Sequence, residues 1–281
     1  MAAGSVDAVK TLRERTGAGV MDCKAALEAS SGDLEKAIDF LRKKGVAQAA
    51  KRAGREAKEG LIVARVNGKR AALVETNCET DFVARTDDFK SLAAMALEEV
   101  LNSGERAISS EKISHRLAEL SGKIGEKIVV RRAKVVESAS GAFFTYIHSN
   151  NKIGVIVELA VSNLKLKDNA SLQELGKNLA MQVAASNPIC MARQDVPSDI
   201  LEREKAIFKE EIKGKPENIA EKIIQGKLEK FFQTNCLIEQ LFIKDDKLSV
   251  KQLVDQVAKS LSDTIQVKQF VRFQLGDQVS S

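Results

Sequence analysis

The chain has no apolar run long enough to cross a bilayer. Its longest, such as Ile153 to Val157, are strand-length, far short of the roughly 20 residues a spanning helix needs. Met1-Ala2-Ala3-Gly4-Ser5-Val6-Asp7 leads straight into helical pattern, with neither the apolar centre of a signal peptide nor the Arg/Ser-rich character of a transit peptide. A cytoplasmic protein with no membrane partner is expected. Histidine is scarce: His115 and His148 stand too far apart for a metal motif and leave little for acid–base work near neutral pH. Cys23, Cys78, Cys190 and Cys236 form no Cys-x-x-Cys pair and read as small buried hydrophobes kept reduced. The phosphate-cradling motif is missing, because every Gly-Lys is followed by Arg, Ile, Asn, Pro or Leu. Gly17-Ala18-Gly19 follows a helix and lacks the third glycine of a dinucleotide fingerprint. Neither Gly-x-Ser-x-Gly nor His-Glu-x-x-His occurs. No enzyme, cofactor, bound metal or direct nucleotide binding is expected from such a chain. A net charge of +5 over 281 residues also disfavours nucleic acid as a partner, since a phosphate-tracking face concentrates more Lys and Arg.

The hydrophobic content of 44% is that of a globular protein, and the length suits two domains or one with appendages. Residues 1–45 read as three short helices. The third is capped by Asp33, carries Leu34, Ala37, Ile38 and Leu41 at i, i+3, i+4 and i+7, and is expected to stop at Gly45. Residues 46–59 read as a basic tether (Lys51, Arg52, Arg55, Lys58). From Gly60 the period becomes two. Leu61–Val66 and Ala71–Glu75 flank Asn67-Gly68, a strong hairpin signal. A helix follows, capped by Asp87 or Asp88 and lined by Phe89, Leu92, Ala96 and Val100. The plan returns 83 residues later: Lys69, Val74, Glu75, Phe89, Leu92 and Val100 superpose on Lys152, Val157, Glu158, Leu172, Leu175 and Val183. An α+β fold with a duplicated core is expected, with residues 60–140 as one subdomain and 141–186 plus 231–281 as the other. Between the repeats, 111–125 reads as a helix and 127–136 as a strand; 267–275 reads as a returning strand. Residues 187–230 read as an inserted arm. From Asp199 to Lys230 sixteen of 32 residues are charged, eight of each sign, and Gly214-Lys215-Pro216 splits two amphipathic helices.

One segment stands out, Asn77-Cys78-Glu79-Thr80-Asp81-Phe82-Val83-Ala84-Arg85-Thr86-Asp87-Asp88. Taken alone it allows three readings. Phe82 is a core anchor with the acids as helix caps; or Glu79, Asp81 and Asp87 hold Mg²⁺, although no glycine supplies the sharp turn; or the loop protrudes for recognition.

The sequence closely resembles the elongation factor Ts family. The likeness is carried by Leu12-Arg13-Glu14-Arg15-Thr16-Gly17-Ala18-Gly19-Val20-Met21-Asp22-Cys23-Lys24-Ala25-Ala26-Leu27 and by Glu75-Thr76-Asn77-Cys78-Glu79-Thr80-Asp81-Phe82-Val83-Ala84. Lys152-Ile153-Gly154-Val155-Ile156-Val157 and the stretch from Gly214-Lys215-Pro216 to Ile219-Ala220-Glu221-Lys222 extend it along nearly the whole chain. The resemblance implies a three-helix domain like the ubiquitin-associated fold, a duplicated dimerisation-type core and a coiled-coil arm. It implies a partner, the GTPase elongation factor Tu, from which GDP is driven out. Thr80, Asp81, Phe82 and Val83 match the family's segment that dislocates the partner's Mg²⁺. Arg13, Val20 and Met21 match positions that touch the partner's GTPase domain, and His148 matches a core position facing its third domain. Val20 stands where some relatives carry methionine. The sequence also ends soon after Phe273-Gln274-Leu275-Gly276, where some members add a helix, so exchange is expected to transfer more directly than affinity. The competing class is an RNA- or ribosome-binding protein using the tether and arm.

Overall fold

A computed structural model describes residues 5–213 and 216–278. Mixed helices and antiparallel sheets make it an α+β protein, in two compact units. The first comprises the described residues up to Val63, Ala72–Val135, and Gln274 onward; the second comprises Ala64–Ala71 and Val136–Phe273.

The first unit opens with α1 (Val6–Thr16), α2 (Val20–Ala29) and α3 (Leu34–Arg52). The Ser5 hydroxyl caps α1 and the Asp33 carboxylate caps α3, each accepting an otherwise orphaned amide. Gly17 ends α1 at φ +65°, a backbone setting that strains any side chain. Leu12, Cys23, Ala26, Leu27 and Ala37 close a small core. The third helix does not stop at Gly45; it runs on to Arg52. A Cβ at Gly45 would meet the Ala118 carbonyl at 3.2 Å, and one at Gly122 would meet Gly45 Cα at 3.4 Å. Gly45 thus lets α3 cross closely over α6 (Glu111–Ile124), a contact with residues over seventy positions away that outweighs local helix-breaking tendency.

The basic stretch after Gly45 makes contacts within its own unit. Arg52 donates to the Ser121 carbonyl at 2.9 Å, Arg55 to Glu79 at 3.2 Å, and Lys127 Nζ to the Ala53 and Arg55 carbonyls at 2.6 and 2.7 Å. The segment is fastened to its own unit.

A three-stranded sheet follows, with β2 (Arg70–Cys78) between β1 (Glu59–Asn67) and β3 (Ile128–Glu137). Against it lie α4 (Asp81–Ala84), α5 (Asp87–Ser103) and α6. Two apolar clusters, one around Phe89, Leu92 and Leu120 and one around Val74, Val100 and Ile113, join helices to sheet. Gly60, at φ +146°, has no room for a side chain: a Cβ would lie 2.1 Å from the Thr76 carbonyl oxygen.

The second unit repeats the plan with β4 (Gly141–Ile147), β5 (Ile153–Val161), α7 (Ala170–Ser186) and β8 (Ile265–Gln274) in the order β4-β5-β8. Phe143 pairs with Glu158 and Tyr146 with Val155 in the antiparallel register. β2 and β5 begin and end 83 residues apart, and so do α5 and α7. Each superposed apolar pair expected from sequence is buried in both units.

The arm consists of α8 (Ser198–Glu211) and α9 (Glu217–Asn235), packed on each other; Gly214-Lys215 of the expected break lie outside the described residues. α8 buries no residue fully, as its alternating charges imply. At its root Cys190, Val196 and Cys236 pack with Ile200, Leu201, Phe231 and Phe232. The stretch after α9 carries elements not assigned from the sequence: the hairpin β6 (Leu241–Phe242) with β7 (Asp245–Ser249), and α10 (Val250–Leu261), opened by a Ser249–Gln252 capping box.

Candidate functional site

The segment after β2 folds into a single turn of helix, α4, too short to hold itself by its own hydrogen bonds. Thr80 caps it, its hydroxyl accepting the Val83 N–H at 3.4 Å. Thr86 repeats the device for α5, accepting the Phe89 N–H at 3.3 Å, so threonine rather than Asp87 or Asp88 is the cap. The two aspartates sit in the first turn of α5, where negative charge complements the helix dipole. Beneath, Val83 and Ala84 enter the cluster of Leu61, Cys78, Phe89 and Leu92.

Phe82 goes the other way and is 77% exposed. It is therefore not the core anchor of this junction; Val83 and Phe89 are. The carboxylates do not converge on one point either. Glu79 accepts the Lys127 N–H at 2.6 Å and Arg55 at 3.2 Å, Asp81 pairs with Arg85 at 2.7 Å, and Asp87 faces Lys90 at 3.8 Å. Among the described residues no group of three His, Cys, Asp or Glu side chains is arranged for a metal ion. The Lys127 amide, then Arg55, holds the Glu79 carboxyl below its usual range. Burial, with the Glu126 and Glu59 carboxylates adding, pushes the Cys78 thiol up to about 12, so it is no nucleophile near neutral pH. The turn holds an aromatic ring outward on a fastened base.

A carboxylate that the sequence reading missed supports that base. Glu126, in the turn between α6 and β3, accepts the N–H groups of Glu79 and Thr80, both at 3.1 Å, and the Thr80 hydroxyl at 2.7 Å. Nothing local signals this, since Glu126 is 46 residues from Thr80.

Arg13, Val20 and Met21 lie in the same unit. Arg13 is in the last turn of α1, exposed; Val20 and Met21 open α2, 51% and 74% exposed. The two apolar side chains are adjacent on the outer side while Cys23, Ala26 and Leu27 of the same helix face the core. His148 belongs to the second unit, exposed in the β4–β5 turn, with its Nδ1 3.0 Å from the Tyr146 hydroxyl. No described helix is long and apolar enough to cross a membrane.

Comparison with known proteins gives concordant matches. The family model described as Elongation factor TS matches residues 79–277. The protein named Elongation factor Ts of Prosthecochloris aestuarii (strain DSM 271 / SK 413) is 44% identical over 284 residues, covering 95% of this chain and 97% of its own. Those of Chlorobium phaeobacteroides (strain BS1) and Clostridium botulinum (strain Eklund 17B / Type B) are 43% and 40% identical over 288 residues. Both alignments cover 97% of this chain, with 98% and 93% of the relatives.

Proposed function

The chain belongs to the elongation factor Ts family, and from that premise we propose that it binds elongation factor Tu carrying GDP and promotes release of the GDP so that GTP replaces it. It works in the cytoplasm as a translation factor, makes and breaks no covalent bond, and does not itself hold the nucleotide.

An exchange factor need only bind the empty partner better than the loaded one; linkage then weakens nucleotide binding by the same factor. Each tenfold weakening takes about 1.4 kcal/mol of differential binding. Phe82 is suited to supply it. Burying a phenylalanine contributes about 1.5–3 kcal/mol, and at 77% exposure roughly three-quarters of that is still unrealised in the free protein. The gain comes only when the partner's elements around its Mg²⁺ move aside. In this reading Thr80 shapes the turn, Asp81 orients it through Arg85, Val83 anchors it, and Phe82 enters the partner. The exposed ring on a capped turn is the observation that carries the proposal.

The surrounding parts supply hold. We assign the first three helices as the ubiquitin-associated-like domain, with Arg13, Val20 and Met21 against the partner's GTPase domain. The two hairpin–helix units are the core subdomains, with His148 toward the partner's third domain, and α8–α9 are the coiled-coil arm. The RNA-binding alternative loses ground because Arg52 and Arg55 are already engaged within the chain. The test is release of labelled GDP from purified elongation factor Tu. Catalytic amounts of this protein accelerate it; an unchanged rate would refute the proposal.

A further inference from the structure

The turn that carries Phe82 is held by a pair of reciprocal carboxylate clamps. Glu126 Oε2 accepts the N–H of both Glu79 and Thr80, and Oε1 accepts the Thr80 hydroxyl. In return Glu79 Oε1 accepts the Lys127 N–H. Thr80 has to accept the Val83 N–H as the cap of α4, so its own proton must go elsewhere. Glu126 accepts the hydrogen bond from that hydroxyl and so aims a lone pair of the Thr80 oxygen at Val83. Glu126 is itself held from behind. Its carbonyl accepts the Ser121 hydroxyl at 2.6 Å, and the Ser121 carbonyl accepts Arg52 from the end of α3.

We propose that Glu126 is a positioning residue for nucleotide exchange: it fixes residues 79–80 so that α4 holds Phe82 at one outward angle. The inference rests on the exchange function proposed above. A wedge acts only in the fraction of complexes in which it is correctly placed. A loosened turn leaves the docking surface of the N-terminal helices intact but presents Phe82 less often. Loss of Glu126 therefore lowers the rate within the complex and spares the formation of the complex.

The experiment measures labelled-GDP release from elongation factor Tu at rising concentrations of the full chain, for the unaltered protein, E126A, E126Q and E126D. E126A is expected to lower the saturating rate by about tenfold while the half-saturating concentration moves by less than about twofold. E126Q is expected to lose less. Its amide oxygen accepts both backbone N–H groups, and its NH2 group donates to the Thr80 hydroxyl oxygen. Should E126A fail to give the circular dichroism and cooperative melting of a folded chain, E126D carries the measurement, because one methylene less withdraws the carboxylate from both amides. A saturating rate unchanged in E126A, or in E126D in its place, would overturn the proposal while leaving the exchange function standing. An equal fall in E126Q and E126A, accompanied by equal losses of melting temperature, would overturn it too, marking a merely structural residue. No acceleration by the unaltered protein would overturn the exchange function and this inference with it.

Discussion

Phe82 and Val83 are consecutive in one turn of helix and point opposite ways: Phe82 is 77% exposed and Val83 8%. Display and anchorage are thereby divided between neighbours. Truncating Val83 removes two buried methyl groups, a loss of about 1.5 kcal/mol at ~0.8 per buried carbon. Truncating Phe82 touches no core contact and stays within about 0.5 kcal/mol. Urea denaturation of Val83→Ala and Phe82→Ala checks the contrast; comparable losses in the two would contradict it.

Glu75 is fully buried in β2 and accepts Arg131 at 2.8 Å, Arg132 at 2.6 Å and the Gly276 N–H at 3.3 Å. Arg132 also donates to the Gln274 carbonyl at 2.9 Å, so one carboxylate ties β2, β3 and the turn after β8. Removing it leaves two guanidinium groups short of a partner. Glu75→Ala is expected to cost about 3 kcal/mol, toward the lower end for a broken buried pair because both arginines keep some solvent. A denaturation free energy lowered by less than about 1 kcal/mol would refute that role.

Stability should also decline at high pH through Cys78. Its thiol is pushed up from 9.0 to about 12 by burial first, then by Glu126 and Glu59. Between those values the unfolded chain loses its proton and the folded one keeps it, so unfolding gains. The contribution is fully present below about pH 9 and is lost as pH rises through the folded value. Urea midpoints of the unaltered chain should fall more steeply above about pH 9 than those of Cys78→Ala; parallel curves would show that the thiol is not responsible.

Much of this architecture is legible in the sequence, for local reasons. Asn67-Gly68 announces the first hairpin because Gly68 takes φ +59°, and Asp33 announces α3 because its carboxylate reaches the Lys36 amide. The 83-residue echo was visible because buried positions such as Val74 and Val157 stay apolar in both copies. Some of what failed depended on distant partners and some on a close neighbour. Gly45 looks like a helix stop until Ala118 and Gly122 are set against it. Asp87 and Asp88 look like caps until Thr86 is seen to take the amide. The candidate site was half legible. Residue chemistry favoured the core for Phe82, and only the family resemblance pointed outward. Glu126 stayed hidden because a carboxylate at a helix-ending turn has no pattern until its donors, Glu79 and Thr80, are brought to it from the end of β2.

The most direct measurement separates rate from affinity in one experiment. Stopped-flow release of fluorescent GDP from elongation factor Tu is followed for the unaltered chain, Phe82→Ala and Met21→Ser, alongside the half-saturating concentration of each for the GDP-loaded partner. Phe82→Ala is predicted to lower the saturating release rate by about tenfold or more with binding nearly intact, whereas Met21→Ser weakens binding and leaves the saturating rate unchanged. A Phe82→Ala protein that still releases GDP at the full saturating rate would contradict the account.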